Sequence, residues 1–340
     1  MTDRTHLIGN FLARAGWDGA ERKLIAADAS FRRYERLRRD GASVVLMDAP
    51  PPQENVQAFC RVAQALIGLG LSAPKPLEVD EAEGLLLLED LGDRTFTRAL
   101  AEGEDEGLLY RLATDALIAL HRRWAASSDR DAGESLPPYD DTLLLDEAAL
   151  LPDWTLPALR GAPSTAKMRE SYLAAWREVL PRARQVPDCL VLRDYHVDNL
   201  MLLDGREGVA ACGLLDFQDA VIGPIAYDLV SLLEDARRDI APGVVAEMLG
   251  RYFDAFPELD QEAFAESYAI LGAQRAAKII GIFTRLSWRD GKDQYLRHIP
   301  RLWGLLETGL AHPALAPVRD WFEREVPPAE RVTPPPGGKA

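Results

Sequence analysis

The stretch that decides the fold runs from Val191 to Asp219 and reads VLRDYHVDNLMLLDGREGVAACGLLDFQD. Two short apolar runs, residues 200–203 and 210–215, flank the pair Asp204-Gly205. An Asp-Gly pair between two apolar runs is a strong signal for a tight β-hairpin. The sequence therefore predicts two short antiparallel strands here, with polar residues at their open end.

The polar residues of this stretch suit the transfer of a phosphoryl group. That reaction needs a carboxylate to receive the proton of the acceptor hydroxyl, and oxygen ligands to hold Mg²⁺ against the phosphates. Asp194 follows an apolar run and is predicted to be the general base. Asn199 and Asp216 flank the predicted hairpin at its open end, so we expect them to hold Mg²⁺ together.

The composition allows an ordinary globular protein and excludes some partners. The 340 residues are 47% hydrophobic and 27% charged, which fits one or two domains or a single bilobal unit. A formal charge of −15 argues against a nucleic-acid surface, which needs a basic stripe. ATP remains compatible with this charge, because Mg²⁺ and a few local bases can offset the charge of the ligand.

The cysteines and the apolar runs indicate the compartment. The cysteines are Cys60, Cys189 and Cys212, and their spacing gives neither a metal motif nor a disulfide framework. The N-terminus lacks an apolar targeting segment, and no apolar run approaches the roughly 18 residues that a membrane span needs. We expect a cytoplasmic protein that neither enters nor binds a membrane.

The periodicity of the chain changes near residue 90. Before it, the pattern predicts short strands and two helices; after it, repeated i, i+3, i+4 spacing predicts a mainly helical region. The predicted strands are 30–37, 43–47, 77–79 and 85–88, and the early helices are 6–15 and 53–69. We therefore predict an α+β fold with an N-lobe at 1–90, a C-lobe at 91–325 and a Pro-rich, disordered tail at 326–340.

Three phrases of the chain carry a family resemblance. Residues 193–199, 215–219 and 223–229 together resemble the aminoglycoside phosphotransferase / choline kinase superfamily, and the resemblance extends over nearly the whole chain. It implies a bilobal protein-kinase-like fold, with a small antiparallel-sheet N-lobe and a larger, mainly helical C-lobe. It also implies ATP and Mg²⁺ as cofactors.

Further phrases narrow the resemblance. Residues 28–34, 88–93, 281–286 and 289–292 look most like the bacterial N-acetylmuramate/N-acetylglucosamine anomeric kinases of cell-wall recycling. That branch implies ATP-dependent phosphorylation of the anomeric hydroxyl of the sugar. The sugar 1-phosphate would then pass to a partner nucleotidyltransferase.

The same resemblance places the nucleotide. Residues 89–91 correspond to the hinge whose backbone binds adenine, and residues 27–31 to the loop over the phosphates. The nucleotide-binding candidates are Ser30, Phe31, Arg32, Arg33, Glu89 and Leu91.

The chain departs from the family at Met47. The family usually carries a lysine there that pairs with the phosphates and with a helix glutamate, here Glu54. Either Arg32 or Arg33 replaces it, or Mg²⁺ alone balances the phosphates, or the activity is weak. Because strand residues alternate between faces, Arg33 shares a face with Glu35 and Arg32 lies on the other, so only one arginine can face the cleft.

Sugar recognition is expected in the helical lobe. An arginine suits the lactyl carboxylate of the sugar and an aromatic ring suits stacking. The candidates for sugar contact are His196, Glu147, Trp154, Arg285 and Arg289. Asp228 is expected to anchor the catalytic loop by hydrogen bonds rather than to take part in the chemistry.

Two other functions remain open on the sequence. Another small-molecule kinase of the superfamily, acting on an aminoglycoside, choline or homoserine, would use the same core residues. A nucleotide-binding pseudokinase is the alternative that Met47 suggests, although Asp194, Asn199 and Asp216 are all present.

Overall fold

The computed structural model describes residues 4–27, 32–127 and 136–337, and its contacts divide the chain into two compact units. The first, here the sheet unit, comprises Met1–Ser135 and Val197–Ala220. The second, the helical unit, comprises Leu136–His196 and Val221–Ala340. The candidate residues Ser30 and Phe31 lie outside the described residues.

Within the described part of the sheet unit, a five-stranded antiparallel sheet has the order β1-β2-β3-β5-β4. Its strands are β1 (Glu21–Ala27), β2 (Arg33–Arg39), β3 (Ala42–Asp48), β4 (Pro76–Asp80) and β5 (Leu85–Glu89). The sequence did not predict β1. Residues 21–25 are all exposed on this edge strand, so they lack the apolar alternation that marks a half-buried strand.

Strands β2 and β3 overlap the predicted strands 30–37 and 43–47, and they form a hairpin. Arg39 pairs with Ala42, and the turn residues Asp40 and Gly41 have φ of 52° and 80°. Two consecutive positive φ values give the turn whose twist matches that of antiparallel strands, and Asp-Gly tolerates them best. The turn therefore sets the register of the whole strand pair.

One part of the core of the sheet unit lies between its first helix and the sheet. Helix α1 (Arg4–Arg14) buries Ile8, Phe11 and Leu12 against Leu37, Val44, Leu46, Leu85 and Leu87 of the strands. The other helices of this unit are α2 (Val56–Gly68), α3 (Phe96–Ala101) and α4 (Glu106–Ala126). Helix α2 begins at the cap Asn55, whose side chain accepts hydrogen bonds from the backbone N–H groups of Gln57 and Ala58.

The predicted pairing of residues 200–203 with 210–215 forms in the sheet unit, but a loop of residues 203–211 with a 3-10 turn at Gly208–Ala211 joins the strands, so Asp204-Gly205 does not join them in a tight turn. Strands β7 (Leu200–Leu202) and β8 (Cys212–Leu214) pair antiparallel, with Leu200 opposite Leu214. The backbone N–H of Leu214 donates to the carbonyl of Ser72 at 2.8 Å, and that of Leu202 to the carbonyl of Arg94 at 2.8 Å. Because these bonds tie the hairpin to earlier residues, the compact units do not divide at residue 90, where the sequence pattern changes.

The helical unit is built around one long helix. Its helices are α5 (Asp141–Ala148), α6 (Leu156–Arg160), α7 (Ala166–Ala183), α8 (Tyr227–Leu233), α9 (Pro242–Ala255), α10 (Gln261–Asp290), α11 (Ile299–Leu310) and α12 (Ala316–Glu325). Helix α10 contacts α7, α11 and the π-helical turn Leu151–Thr155. A Cβ at Gly281 would lie 2.4 Å from the carbonyl carbon of Leu150, so only glycine permits this approach.

Two strands complete the helical unit. Strand β6 (Asp188–Val191) pairs antiparallel with β9 (Val221–Pro224) and leads directly into Arg193 and Asp194. Among the helices of the described residues, none is long and apolar enough to cross a membrane.

The end of the chain packs against this unit as far as residue 337. Trp303 donates its indole N–H to the carbonyl of Val332 at 3.2 Å, and Trp288 donates to that of Pro335 at 3.0 Å. The Pro-rich composition predicted disorder for 326–340. The described residues 326–337 differ from that prediction, because Trp288 and Trp303 bind their backbone. A Pro-rich composition does not reveal such contacts from distant side chains.

Candidate active site

The hairpin of the sheet unit brings Asn199 and Asp216 together. The Nδ2 atom of Asn199 lies 3.5 Å from Oδ2 of Asp216, and the backbone N–H of Leu215 donates to the carbonyl of Asn199 at 2.9 Å. Gln218 donates to the other oxygen of Asp216 at 3.0 Å. Asp216 has a φ of 58°, a conformation that non-glycine residues seldom adopt outside turns and functional sites.

Arg32 lies between two carboxylates of the same unit. Its guanidinium is 3.5 Å from Glu54 and 3.7 Å from Asp216. Burial disfavours the charged guanidinium, but Tyr34, Asp216 and Glu54 outweigh this and raise the pKa of Arg32 above its usual value. Arg33 is exposed instead, and its guanidinium lies 3.2 Å from Glu35.

The position where the family has its lysine is apolar and closed. Met47 is buried in β3, opposite Tyr34 on one side and Leu86 on the other. The two carboxylates on either side of Arg32 include Glu54, the expected partner of the missing lysine. The guanidinium that lies beside Glu54 and Asp216 therefore belongs to the residue before β2, and not to β3.

A cavity of about 240 Å³ lies within the sheet unit. Its apolar lining comes from Ile25, Val45, Phe59, Pro74, Leu88, Leu91, Met201 and Leu215. Its polar lining comes from Tyr34, Arg36, Glu89, Asp90, Asn199 and Asp216. Apolar walls with a few polar groups are the usual surroundings of a small-molecule ligand, and here both predicted metal ligands are among those groups.

Two arginines hold the acidic side chains of the segment 89–93. Arg36 of β2 is buried and donates to Asp90 at 2.7 and 2.9 Å and to Asp93 at 2.7 Å. Arg206, in the β7–β8 loop, donates to Glu89 at 2.5 Å. Sequence reasoning missed both arginines. The sequence did contain an indication for Arg36, because strand alternation places it on the same face as Arg32 and Tyr34.

In the helical unit, Asp194 is exposed and follows a strained residue. Arg193 has a φ of 69°, and its backbone N–H donates to Asp228 at 2.9 Å. Asp228 also accepts from the N–H of Leu192 at 2.6 Å, and Ser231 donates to the carbonyl of Arg193 at 3.2 Å. The expected anchoring role of Asp228 is thus confirmed.

The buried carboxylate of Asp228 experiences two opposing influences. Its burial raises the pKa to about 7, although the backbone N–H groups of Leu192 and Arg193 favour its charged form. Those two hydrogen bonds keep the strained backbone before Asp194 in one conformation.

Glu147 is buried and is held by several partners. Lys278 lies 2.7 Å from its Oε1 atom, Tyr139 donates to Oε2 at 2.6 Å, and Arg193 donates to Oε1. Burial alone would raise the pKa of Glu147, but Lys278 and Arg193 lower it to about 2. A sugar hydroxyl would have to compete with all of these contacts, so the geometry favours a supporting role for Glu147.

His196 is buried beside the loop that carries Asp194. Its Nε2 atom lies 3.4 Å from Nη1 of Arg237. Burial and the nearby charge of Arg237 lower the pKa of His196, while Asp194 and Asp235 oppose that shift. Sequence reasoning missed Arg237 and Lys278, which neighbour the loop only through the tertiary structure.

The remaining candidates for sugar contact lie along other elements. Trp154 is half-buried in the π-helical turn Leu151–Thr155. Arg285 is half-buried on α10, where burial and the charge of Arg289 lower its pKa. Arg289 is exposed near the end of α10 and donates to Asp290 at 2.7 Å. Arg289 thus engages its own neighbour in the sequence.

The sequence is similar to known phosphotransferases. The sequence profile described as "Phosphotransferase enzyme family" matches residues 21–264. A protein named N-acetylmuramate/N-acetylglucosamine kinase from Caulobacter vibrioides is 40% identical, and the match covers 93% of this chain and 95% of that protein. A protein of the same name from Pseudomonas aeruginosa is 38% identical, with 86% and 84% covered.

Solved structures show the fold. An ADP-bound aminoglycoside phosphotransferase superposes with a TM-score of 0.58 at 16% identity, covering 90% of this chain and 97% of that one. This similarity confirms the predicted fold class, with an antiparallel sheet in the first part and a mainly helical remainder.

Proposed function

Because the chain belongs to the phosphotransferase enzyme family, we propose that it transfers a phosphoryl group from ATP to the anomeric hydroxyl of N-acetylmuramate or N-acetylglucosamine. The product is the sugar 1-phosphate, formed in peptidoglycan recycling. A sugar-1-phosphate nucleotidyltransferase is the class of enzyme that would consume it. We propose the cytoplasm as its location, because ATP is available there.

The observation that carries this proposal is the extent of the similarity. Four relatives with the same sugar-kinase name are 36–40% identical over at least 86% of the chain. Solved structures of aminoglycoside and choline kinases are far less similar in sequence, at 12–16%. An amino sugar is therefore preferred over an aminoglycoside or choline as the acceptor.

The residues at the open end of the hairpin fit a magnesium ion. Mg²⁺ is usually held by one or two carboxylate or amide oxygens, with phosphate and water completing its shell. Asp216 is half-exposed, so an ion can reach it, and a half turn of the neighbouring Asn199 amide presents its oxygen. The bound ion would supply charge neutralisation to the transferring phosphoryl group.

Asp194 is proposed as the general base. It is exposed, so the acceptor hydroxyl can reach it, and Arg193 directly before it is held by Asp228 and Ser231. A carboxylate at this point orients the hydroxyl and receives its proton as the new bond to phosphorus forms. The strained φ of Arg193 persists because the hydrogen bonds with Asp228 and Ser231 hold the backbone, and the same bonds fix the direction in which Asp194 leaves the loop.

Arg32 is proposed to balance the charge of the phosphates. Its guanidinium already lies within 3.7 Å of Asp216, the proposed metal ligand. A guanidinium can donate to two phosphate oxygens at once, whereas an ammonium acts as a point charge. This arrangement replaces the family lysine and argues against a pseudokinase.

The cavity of the sheet unit is proposed to hold the nucleotide base. Apolar side chains of Val45, Met201 and Leu215 line this cavity and suit an aromatic base. The segment 89–91 lines the same cavity, and the carboxylate of Glu89 is held by Arg206. Backbone groups of this segment, rather than its carboxylates, are then the base-recognising groups.

A screen for ADP release tests the proposal. The purified chain is incubated with ATP, Mg²⁺ and one acceptor at a time: N-acetylmuramate, N-acetylglucosamine, choline, homoserine or kanamycin. We expect turnover with the amino sugars only, and phosphorus NMR should show a phosphate on the anomeric oxygen. Preferred turnover of another acceptor, or binding of ATP without turnover of any, would contradict the proposal.

A further inference from the structure

A short segment of the helical unit has no regular secondary structure, yet several hydrogen bonds hold its backbone. It follows α8 and comprises residues 234–237. The backbone N–H of Arg237 donates to the carboxylate of Asp235 at 2.7 Å. Arg301 donates to the carbonyl of Asp235 at 2.7 Å, and Arg275 to that of Glu234 at 3.3 Å.

Two of these bonds come from different helices, and they hold the backbone directly before Arg237. Arg275 lies on α10 and Arg301 on α11, so both helices determine where the segment runs. The residue that the segment presents is Arg237, which is half-buried rather than fully closed off. A backbone held from two sides gives this guanidinium a defined position, as a binding group needs.

The position of Arg237 is beside the catalytic loop. Its Nη1 atom lies 3.4 Å from His196, two residues beyond Asp194. Its guanidinium carbon also lies 5.8 Å from the centre of the Phe283 ring, within range of a cation–π contact. The ring of Phe283 packs in turn on Tyr295, with centroids 5.2 Å apart. Arg237 is thus supported by rigid aromatic groups.

The chemistry of the two sugars indicates what a cation here can do. N-acetylmuramate differs from N-acetylglucosamine by a lactyl ether that carries a carboxylate. Resting on the proposed function, we propose that Arg237 binds this lactyl carboxylate and so determines how well N-acetylmuramate is used relative to N-acetylglucosamine. The planar guanidinium matches a carboxylate with two parallel hydrogen bonds.

Other arginines of this unit are less suited. Arg289 is exposed and bonded to Asp290, and the charges that act on Arg285 are Arg289 and Asp290 of the same helix end. Arg237 is in contact with the residue that follows the proposed base by two positions. Arg237 therefore lies beside the loop at which the proposed base would receive the anomeric hydroxyl of the sugar.

The experiment compares two neighbouring arginines. We measure kcat/KM for both sugars in the wild type, in Arg237→Gln and in the matched control Arg238→Gln. The ratio of N-acetylmuramate to N-acetylglucosamine should fall about ten- to hundredfold in Arg237→Gln, the range for a lost charged hydrogen bond. It should be unchanged in Arg238→Gln, and Arg237→Lys should recover part of it.

A neutral substrate separates charge recognition from a general loss of fit. The methyl ester of the lactyl group should be a poorer substrate than the free acid for the wild type, and the two should become similar for Arg237→Gln. If Arg237→Gln leaves the ratio of the kcat/KM values for the two sugars unchanged, whether or not both values fall, the inference is overturned.

Failure of the proposed function looks different from failure of this inference. A wild-type chain that phosphorylates neither sugar overturns both. A wild-type chain that uses N-acetylglucosamine but not N-acetylmuramate keeps the kinase and overturns the role of Arg237. Thermal melting of each variant verifies that it is folded before its ratio is interpreted.

Discussion

Two carboxylates, each next to arginine, differ in how far they are enclosed. In the sheet unit, Asp216 is 35% exposed, and Arg32 approaches it only to 3.7 Å. In the helical unit, Glu147 is 8% exposed and lies 2.7 Å from Lys278, with Arg193 as a further partner. The first arrangement is open and loose, and the second is closed and tight.

This difference in exposure indicates different roles for the two carboxylates. Buried charges cost several kcal/mol to desolvate, so a group such as Glu147 is stable only with its partners in place. Its contacts act on the backbone before Asp194 through Arg193. An open carboxylate such as Asp216 retains access to an ion or a phosphate. We therefore expect changes at Asp216 to affect turnover and changes at Glu147 to affect stability.

The largest expected effect follows from removing the charge at the open carboxylate. Asp216→Asn should lower kcat at least about a thousandfold, because a bound metal ion contributes several kcal/mol to the charged transition state. The melting temperature should hardly change, since the side chain is half-exposed. Steady-state kinetics and circular dichroism measure both. Asp204→Asn, on the exposed turn of the same hairpin, is the control, and turnover of Asp216→Asn within a few-fold of wild type would exclude the metal role.

The next largest effect is expected for Asp194→Asn. It should lower kcat by about 10²- to 10⁴-fold, the range for general acid–base groups. Its effect on ATP affinity should be small, because the residue acts on the acceptor. Nucleotide titration of the variant tests this. A variant that keeps its kcat but binds ATP poorly would mean that Asp194 has been misassigned.

Glu147→Gln is expected to cost stability. Removing one partner of a buried ion pair typically costs about 3–5 kcal/mol, because the other charges stay buried and uncompensated. Urea unfolding at neutral pH measures this. Glu170→Gln, an exposed glutamate on α7 that pairs with Arg177, should change stability by less than about 1 kcal/mol.

The stability difference between wild type and Glu147→Gln should also depend on pH. The pKa of Glu147 is lowered in the folded chain from 4.5 to about 2, so its charged form stabilises the fold above pH 4.5. This contribution is lost as the pH falls from about 4.5 towards 2. The difference in the free energy of unfolding should shrink over that range, and a difference that stays constant would contradict the proposed pairing.

The smallest expected effect separates the two arginines of the sheet unit. Arg32→Ala should raise the KM for ATP about tenfold, because a charge-assisted hydrogen bond to phosphate contributes roughly 1.5–3 kcal/mol. Arg33→Ala should be nearly silent, since its side chain is exposed beside Glu35. Sugar KM should change in neither. Equal effects of the two substitutions would remove Arg32 from the nucleotide site.

Much of the local structure was predictable from the sequence. The Asp40-Gly41 pair sets the β2–β3 hairpin, because few residues accept the two positive φ values that its turn needs. Strands β7 and β8 also pair as the apolar runs predicted, although a longer loop joins them. The apolar spacing located the long helices, and the hairpin implied that Asn199 and Asp216 meet. The predicted roles of Asp194, Asn199 and Asp216 stay predictions until the variants are measured.

Only the tertiary structure shows which residues that are distant in the chain come into contact. Strand alternation left open whether Arg32 or Arg33 faces the site; the fold places Arg32 between Glu54 and Asp216. Lys278 of α10 approaches Glu147, and Arg237 of the irregular segment after α8 approaches His196, only because later parts of the chain pack there. Periodicity records which side of an element is buried, whereas the choice of partner depends on how separate elements pack, and no local pattern encodes that.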